Sequence, residues 1–329
     1  MRIEIAERLR PFSHVPGATC IVPKSTCQVQ VFPTRLVFNN ELEFQIDLKG
    51  PMRGFTVELD LEKAHVRVFG QTPDGYVRYV IRREEGGIAI HFDKKPPQLL
   101  ALPKEQGPVI APLERLSLGM HKAQDVELIR RRRDLKEIFP LWHRLGRLIP
   151  SVPSKKVGTL DLLEQARAQV LAGEKDALAL SFLNLFDAGF SSLLTPRLRD
   201  EQFQGLIPDL PEIPAGSSPL TLLTEGAALI RALFLQESPH ELTLLPCLLP
   251  EFHSGRLTSN EISLEWSKKL LRCVILRPSV SREVRLVLQK PLESFRVRTS
   301  LRERGRTVAR DEPLILTANQ TLFLDRFQK

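Results

Sequence analysis

Side chains that alternate between apolar and polar at every second position fill most of residues 28–92, a period that a backbone satisfies only as strands with one face covered. The runs QVQVF, RLVF, ELEFQIDL, GFTVELDL, HVRVFG, YVRYVIRR and IAIHF are short. Asn39-Asn40, Gly50-Pro51, Pro73-Asp74-Gly75 and Gly86-Gly87 stand between several of them as turn formers. This spacing predicts a β-sandwich over residues 1–105. Within GFTVELDL it predicts Phe55, Val57, Leu59 and Leu61 on the covered face, and Thr56, Glu58 and Asp60 toward water.

Pro96, Pro97, Pro103, Pro108 and Pro112 interrupt the pattern, and a helical period follows from near His121 to Phe139, where Pro140 is expected to stop it. Further helices are predicted over 159–172, 176–188 and 221–236, the first two ending at Gly173 and Gly189. Pro208, Pro211, Pro214 and Pro219 mark a connector across 205–219. From Ile262 the period returns to two in ISLEW, LRCVIL, EVRLVL, SFRVR, PLILT and TLFLD. The fold class expected is α+β multidomain, with a β-sandwich at 1–105, a helical middle at 106–250 and a C-terminal β domain at 251–329.

A hydrophobic content of 42% fits a chain that builds a core and excludes a disordered one. The 47 basic residues outnumber the 39 acidic ones by a net +8, a mixed surface that suits an anionic partner without being polycationic. The opening MRIEIAERLRPFSH carries charges where a signal peptide needs an apolar stretch, and no segment offers the roughly 20 uninterrupted apolar residues of a membrane span. A soluble, cytoplasmic protein with no membrane partner is expected. Cys20, Cys27, Cys247 and Cys273 form no CxxC pair and stand beside no His cluster, so no metal site is expected and the thiols read as reduced and mostly buried. GxxxxGK[ST], GxGxxG after a strand, HExxH and GxSxG are all missing, so no cofactor is implied.

Residues 236–277 form a distinctive junction. The helix TLLTEGAALIRALFLQES runs into the LLPCLLPEF turn, then the Gly255-Arg256 pair and the strands EISLEW and LLRCVIL. Leu242, Leu244 and Leu245 read as an apolar plug, Pro246 and Pro250 prevent the helix from continuing, and Trp266 shares the strand register of Ile262 and Leu264, pointing inward. In this order these elements resemble the end of the catalytic barrel and the start of the C-terminal β domain in glycoside hydrolase family 95, which includes α-L-fucosidases. The resemblance covers about one third of the chain, near residues 221–329. It implies an N-terminal β-sandwich, an α/α domain and a C-terminal β domain, with a carbohydrate-related function. Two departures accompany it. A full α/α barrel needs about a dozen helices, and residues 113–237 have room for about five or six of ordinary length, which makes the middle a reduced α/α domain. Pro239-His240 stands where the family commonly carries an acidic residue followed by Gly.

Glycoside hydrolysis generally needs two carboxyl groups roughly 5 to 9.5 Å apart across the scissile bond. In DALALSFLNLFDA, Ser181, Asn184 and Asp187 interrupt an apolar surface at three-residue steps. That stripe either lines a pocket, with Asp187 as acid or base and Asn184 positioning water or a hydroxyl, or leaves Asp187 as a solvated helix end. Sugar sites present flat rings, yet the aromatics other than Phe are only Trp142, Trp266, Tyr76 and Tyr79. Trp142, beside His143 and Arg144 in FPLWHRLGR, is the ligand-contact candidate among them, against a reading as a core anchor. His121 and Asp125, at i and i+4, form a candidate ligand-binding or structural pair, and Arg130 through Arg133 circle a helix as ion-pairing groups. In RVRTSLRERGRTVAR, Arg302, Arg304 and Arg306 share a face if the segment is an extended hairpin, a candidate anion site.

The expected function is that of a glycoside-hydrolase-like protein, degenerate or non-catalytic rather than an active hydrolase with a reduced barrel, whose partner is a carbohydrate or glycan. The competing expectation is an interaction scaffold for an anionic partner, an acidic protein or, with less support in the absence of interleaved aromatics, a nucleic acid.

Overall fold

A computed structural model describes residues 8–39, 41–93, 98–100, 114–119, 122–150, 160–188, 219–310 and 312–329. The protein is mixed, with five helices and several sheets among those residues, and strand outweighs helix.

The N-terminal strands are β1 (Phe12–Ser13), β2 (Ala18–Ile21), β3 (Gln28–Val31), β4 (Arg35–Phe38), β5 (Leu42–Gln45), β6 (Arg53–Asp60), β7 (His65–Thr72), β8 (Gly75–Glu84), β9 (Gly87–Phe92) and β10 (Gln98–Leu100). They form two antiparallel sheets, β2-β3-β4-β5 and β1-β6-β7-β8-β9-β10. The period-two reading holds on the inner face, where Val29, Val31, Leu36, Phe38, Phe55, Val57, Leu59, Val66, Val68 and Ile81 are buried. It fails on the outer face of β6, because Thr56 and Asp60 are buried too. Residues 9–13 run along the free edge of β6, with Leu59 N donating to Pro11 O and Leu61 N to Leu9 O at 2.8 and 3.0 Å. This neighbour brings His14 Nδ1 to 3.0 Å from Thr56 Oγ1 and Arg10 Nε to 3.0 Å from Asp60 Oδ2. Asp60 Oδ1 also accepts from Glu62 N and Lys63 N, so the buried carboxylate is held by two backbone donors on one oxygen and by the Arg10 charge at the other.

The middle of the chain holds β11 (Arg115–Ser117), α1 (Val126–Arg132), α2 (Leu135–Leu148), α3 (Leu160–Ala172), α4 (Lys175–Ala188) and α5 (Pro219–Phe234). The single helix predicted up to Phe139 is two helices. Asp125 caps α1 by accepting from Glu127 N and Leu128 N, Arg133 ends it in the left-handed region at φ 50°, and Asp134 at once caps α2. Pro140 lies inside α2 rather than ending it, at the loss of one intrahelical bond. Helix α2 is buried along nearly its whole length and packs against α5. The approach is close because Gly146 and Gly226 face it: an added Cβ would lie 2.3 Å from Leu223 O at the first and 2.3 Å from the Trp142 ring at the second.

The C-terminal strands are β12 (Leu235–Glu237), β13 (Glu241–Leu244), β14 (Ser254–Thr258), β15 (Ile262–Ser267), β16 (Leu270–Leu276), β17 (Arg282–Val287), β18 (Ser294–Arg298), β19 (Arg306–Ala309), β20 (Leu314–Leu316) and β21 (Leu322–Gln328). One sheet has the order β11-β14-β15-β16-β21-β18-β19, the other β12-β13-β17-β20, in which β13 and β17 run parallel. Strands from the middle of the chain thus complete both sheets. The helix predicted to reach residue 236 stops at Phe234, and β12 follows directly. Leu242, Leu244 and Leu245 are buried as the plug reading requires, and so is Trp266. The Trp266 ring stacks on Phe234 with centroids 5.1 Å apart, donates Nε1–H to Phe252 O at 3.1 Å, and rests against Gly255. One contiguous cluster of buried apolar residues extends from the N-terminal sheets through α2 and α5 to the C-terminal sheets.

Candidate functional site

Among the described residues, a buried polar group assembles where four elements meet. Glu114 immediately precedes β11, His143 lies on α2, Arg231 on α5 and Glu237 at the end of β12. The Glu114 carboxylate is 2% exposed. It accepts from His143 Nε2 at 3.1 Å and from Arg231 Nε at 2.9 and 3.0 Å. Arg231 Nη2 donates to Glu237, and Arg144 donates Nη1 to Glu114 O and Nε to Leu61 O, each at 3.3 Å, which ties the group to the N-terminal sheet. Burial pushes the Glu114 carboxyl up, but the His143 hydrogen bond and the Arg231 charge more than offset it and hold the group at about 2. Burial pushes the fully enclosed His143 imidazole down, despite the Glu114 carboxylate beside it. Nε2 donates to that carboxylate, so Nδ1 is the unprotonated nitrogen, and it is buried with no hydrogen-bond partner among the described residues.

A Glu–His pair is the geometry of an activated base, but a base needs a proton to abstract and a path to it. His143 lies among core side chains. Its helix neighbour Trp142 is equally enclosed, with Nε1–H donating to Leu223 O at 3.1 Å and the ring edge-on to Phe182. These two predicted ligand contacts are therefore interior groups, and the cluster acts as a polar clamp between elements. Two signals in the sequence mark its other members: Arg231 is a charge inside the apolar run ALIRALF, and Glu114 is the first charge of LERLSL, the alternating run that follows Pro112.

The remaining predicted residues are spread over the molecule. Asp187 is half-buried on α4 and accepts from Arg133 Nη1 with both oxygens, at 2.9 and 2.7 Å, while Asn184 is exposed and Ser181 is buried. The three-residue stripe thus runs from core to solvent and lines no common pocket. Asp125 serves as the α1 cap; His121, proposed as its partner, lies outside the described residues. Arg302 and Arg304 sit in the β18–β19 loop and Arg306 opens β19, so a hairpin is present, but only Arg306 is in a strand, and it pairs with Glu312.

Two shallow depressions carry carboxylates. One is lined by Lys122, Gln124, Glu137 and Pro140 among others, and Glu137 is closed by Lys122 Nζ at 2.8 Å and Arg132 Nη2 at 2.6 Å. The other, between the two C-terminal sheets, is lined by the apolar Leu242, Ile262, Leu276 and Leu316 together with Glu237, Glu261 and Arg282. Glu237 is held by Arg231 and Glu261 accepts from Ser279, and no aromatic ring among the described residues lines the space. No group of three or more His, Cys, Asp or Glu side chains among the described residues is placed to hold a metal ion, and no described helix is long and apolar enough to cross a membrane.

No family model matches the chain, and no curated protein matches it.

Proposed function

We propose that this chain is a non-catalytic, glycoside-hydrolase-like interaction scaffold for an anionic partner. Its two N-terminal sheets are the halves of a β-sandwich, its five described helices form a reduced α/α layer, and the strands beyond residue 250 form most of the C-terminal β domain. The observation that carries this reading is the burial of both indoles, Trp142 at 0% and Trp266 at 1% exposure, and of Tyr79, which withdraws three of the four Trp and Tyr rings from sugar stacking and leaves Tyr76 on β8 as the exposed one. The carboxylates point the same way: Asp187 is closed by Arg133, Glu137 by Lys122 and Arg132, and Glu114 by His143 and Arg231. A general acid at neutral pH needs a carboxyl whose proton is held by an apolar site, the reverse of these salt-bridged settings. The net +8 charge supplies the attraction for an anion.

A panel of aryl glycosides should show no hydrolysis, and a column of immobilised polyglutamate should retain the protein at low salt and release it as ionic strength rises past about 0.15 M, where screening shortens to ~8 Å. Turnover that disappears in Asp187→Ala would replace this reading with an active glycosidase. Retention on a neutral glycan array, with none on polyglutamate, would replace it with a carbohydrate-binding protein.

A further inference from the structure

We infer that the loop between β18 and β19, residues 299–305, docks an acidic peptide segment that carries an aliphatic residue between its carboxylates, an assignment that rests on the anionic-partner reading above. The loop is held in shape by its own bonds. Thr299 donates its N–H and its hydroxyl to Glu303 Oε2 at 2.8 and 2.7 Å, Arg302 N donates to Ser300 Oγ at 3.2 Å, and Glu303 N donates to Ser300 O at 3.3 Å. Gly305, at φ +72°, closes the turn so tightly that a Cβ there would lie 2.3 Å from Val297 O. In the stem, Arg296 grips Asp325 through Nε and Nη2 at 2.7 and 2.9 Å. Arg298 shares that carboxylate and donates Nη1 to Leu301 O at 2.9 Å.

This framework leaves charge to spare at the tip. Arg296, Arg298, Arg302 and Arg304 stand against the two carboxylates of Glu303 and Asp325, and Glu303 is occupied in capping Thr299. The guanidinium groups of Arg302 and Arg304 are exposed and make no ion pair among the described residues, whereas the exposed Arg306 is paired with Glu312. Leu301, 69% exposed, stands in the same turn. Two free guanidiniums suit carboxylates, which they engage through paired N–H donors, and the apolar residue between a partner's carboxylates covers Leu301. Residues 299–306 contain no aromatic side chain, so a nucleic acid would gain charge contacts here without the stacking that single strands use. Because the turn is already ordered, docking loses little conformational entropy on this side.

The test measures fluorescence anisotropy of the full chain with three labelled probes: a peptide repeating Glu-Asp-Leu-Glu-Asp twice, the same peptide with Ser for Leu, and a twelve-residue oligothymidylate. The leucine peptide should bind tightest. Arg302→Ser with Arg304→Ser should weaken it by about tenfold or more, and Leu301→Ser by about threefold while leaving the serine peptide unchanged, effects in the range of central interface side chains. These substitutions are exposed, and an unchanged melting temperature in each variant verifies that folding is intact. Undiminished peptide binding by the double arginine variant overturns the assignment of the loop. Oligothymidylate binding tighter than either peptide, insensitive to Leu301→Ser, overturns the peptide class and leaves the anionic-partner reading standing. Retention on polyglutamate without binding of any probe overturns the inference alone, and failure of both removes the two readings together.

Discussion

Glu114 keeps its charge inside the protein because Arg231 and His143 meet it from two helices, and the consequence is a strong dependence on each partner. Replacing Glu114 with Ala leaves Arg231 Nε and the buried His143 Nε2 without their acceptor while Glu237 still holds Arg231 Nη2, which should cost roughly 2 kcal/mol of stability in denaturant unfolding. The same group sets the acid response. His143 titrates below its ordinary 6.5, so the unfolded chain takes up the proton first and stability falls as pH drops below 6.5. Glu114, held at about 2 against an ordinary 4.5, contributes stability that is present above 4.5 and is lost as pH falls from there toward 2. Melting temperatures at pH 7, 6 and 5 should therefore decline in the wild type and decline less in His143→Gln, which keeps a donor for Glu114 and removes the titrating ring. An equal decline in both would sink this account. Residue types alone set Trp142, beside His143 and Arg144, as a ligand contact or a core anchor, beyond the point where Pro140 is expected to end the helix. They did not reveal that the facing surface is Gly226 and Leu223 of α5, because that depends on a partner some 80 positions away.

At the level of elements, the alternating strands were legible because each covered face imposes period two on its own stretch of chain, as in HVRVFG and EVRLVL. The strands that escaped are those whose reason lies elsewhere. Residues 115–117 are a strand because they pair with 256–258, and 241–243 because they run parallel to 285–287, separations that no local pattern encodes. The break between α1 and α2 was legible in principle through Asp125 and Asp134, two cap residues nine apart, but the helical period continues across it and Pro140 drew the boundary instead. The α2–α5 contact yields a direct prediction. Gly226→Ala drives a methyl into the Trp142 ring, which has no free space to enter, and should destabilise the protein by about 1–3 kcal/mol. An exposed control such as Ala228→Gly, also on α5, should cost about 1 kcal/mol through helix propensity alone. Parallel chemical denaturation of the two variants measures the difference, and a Gly226→Ala protein as stable as wild type would show that the helices can separate freely.

The molecule as a whole is held together by exchange of strands between its regions. Residues 251–329 supply most of both C-terminal sheets, but β14 is flanked by β11 and β17 by β13, both from earlier in the chain. A fragment of residues 251–329 would expose those two edges, and unpaired edges of this kind recruit other chains. It would also strip Trp266 of the Phe234 ring stacked on it, and open the faces now covered by the buried Leu242 and Leu244. Large buried side chains contribute about 1.5–3 kcal/mol each, so losing several contacts of this kind is comparable with the whole stability of a small domain. The fragment is therefore expected to be unfolded or aggregated, with poor dispersion in its amide NMR spectrum, whereas residues 106–329, which restore β11, β12, β13 and α5, should recover dispersed resonances. A well-dispersed spectrum from 251–329 alone would mean that the junction at LLPCLLPEF joins two independent units. The expected outcome makes it instead a place where one core passes from helices to sheets, and the same continuity leaves the exposed β18–β19 turn free to vary without disturbing the fold that presents it.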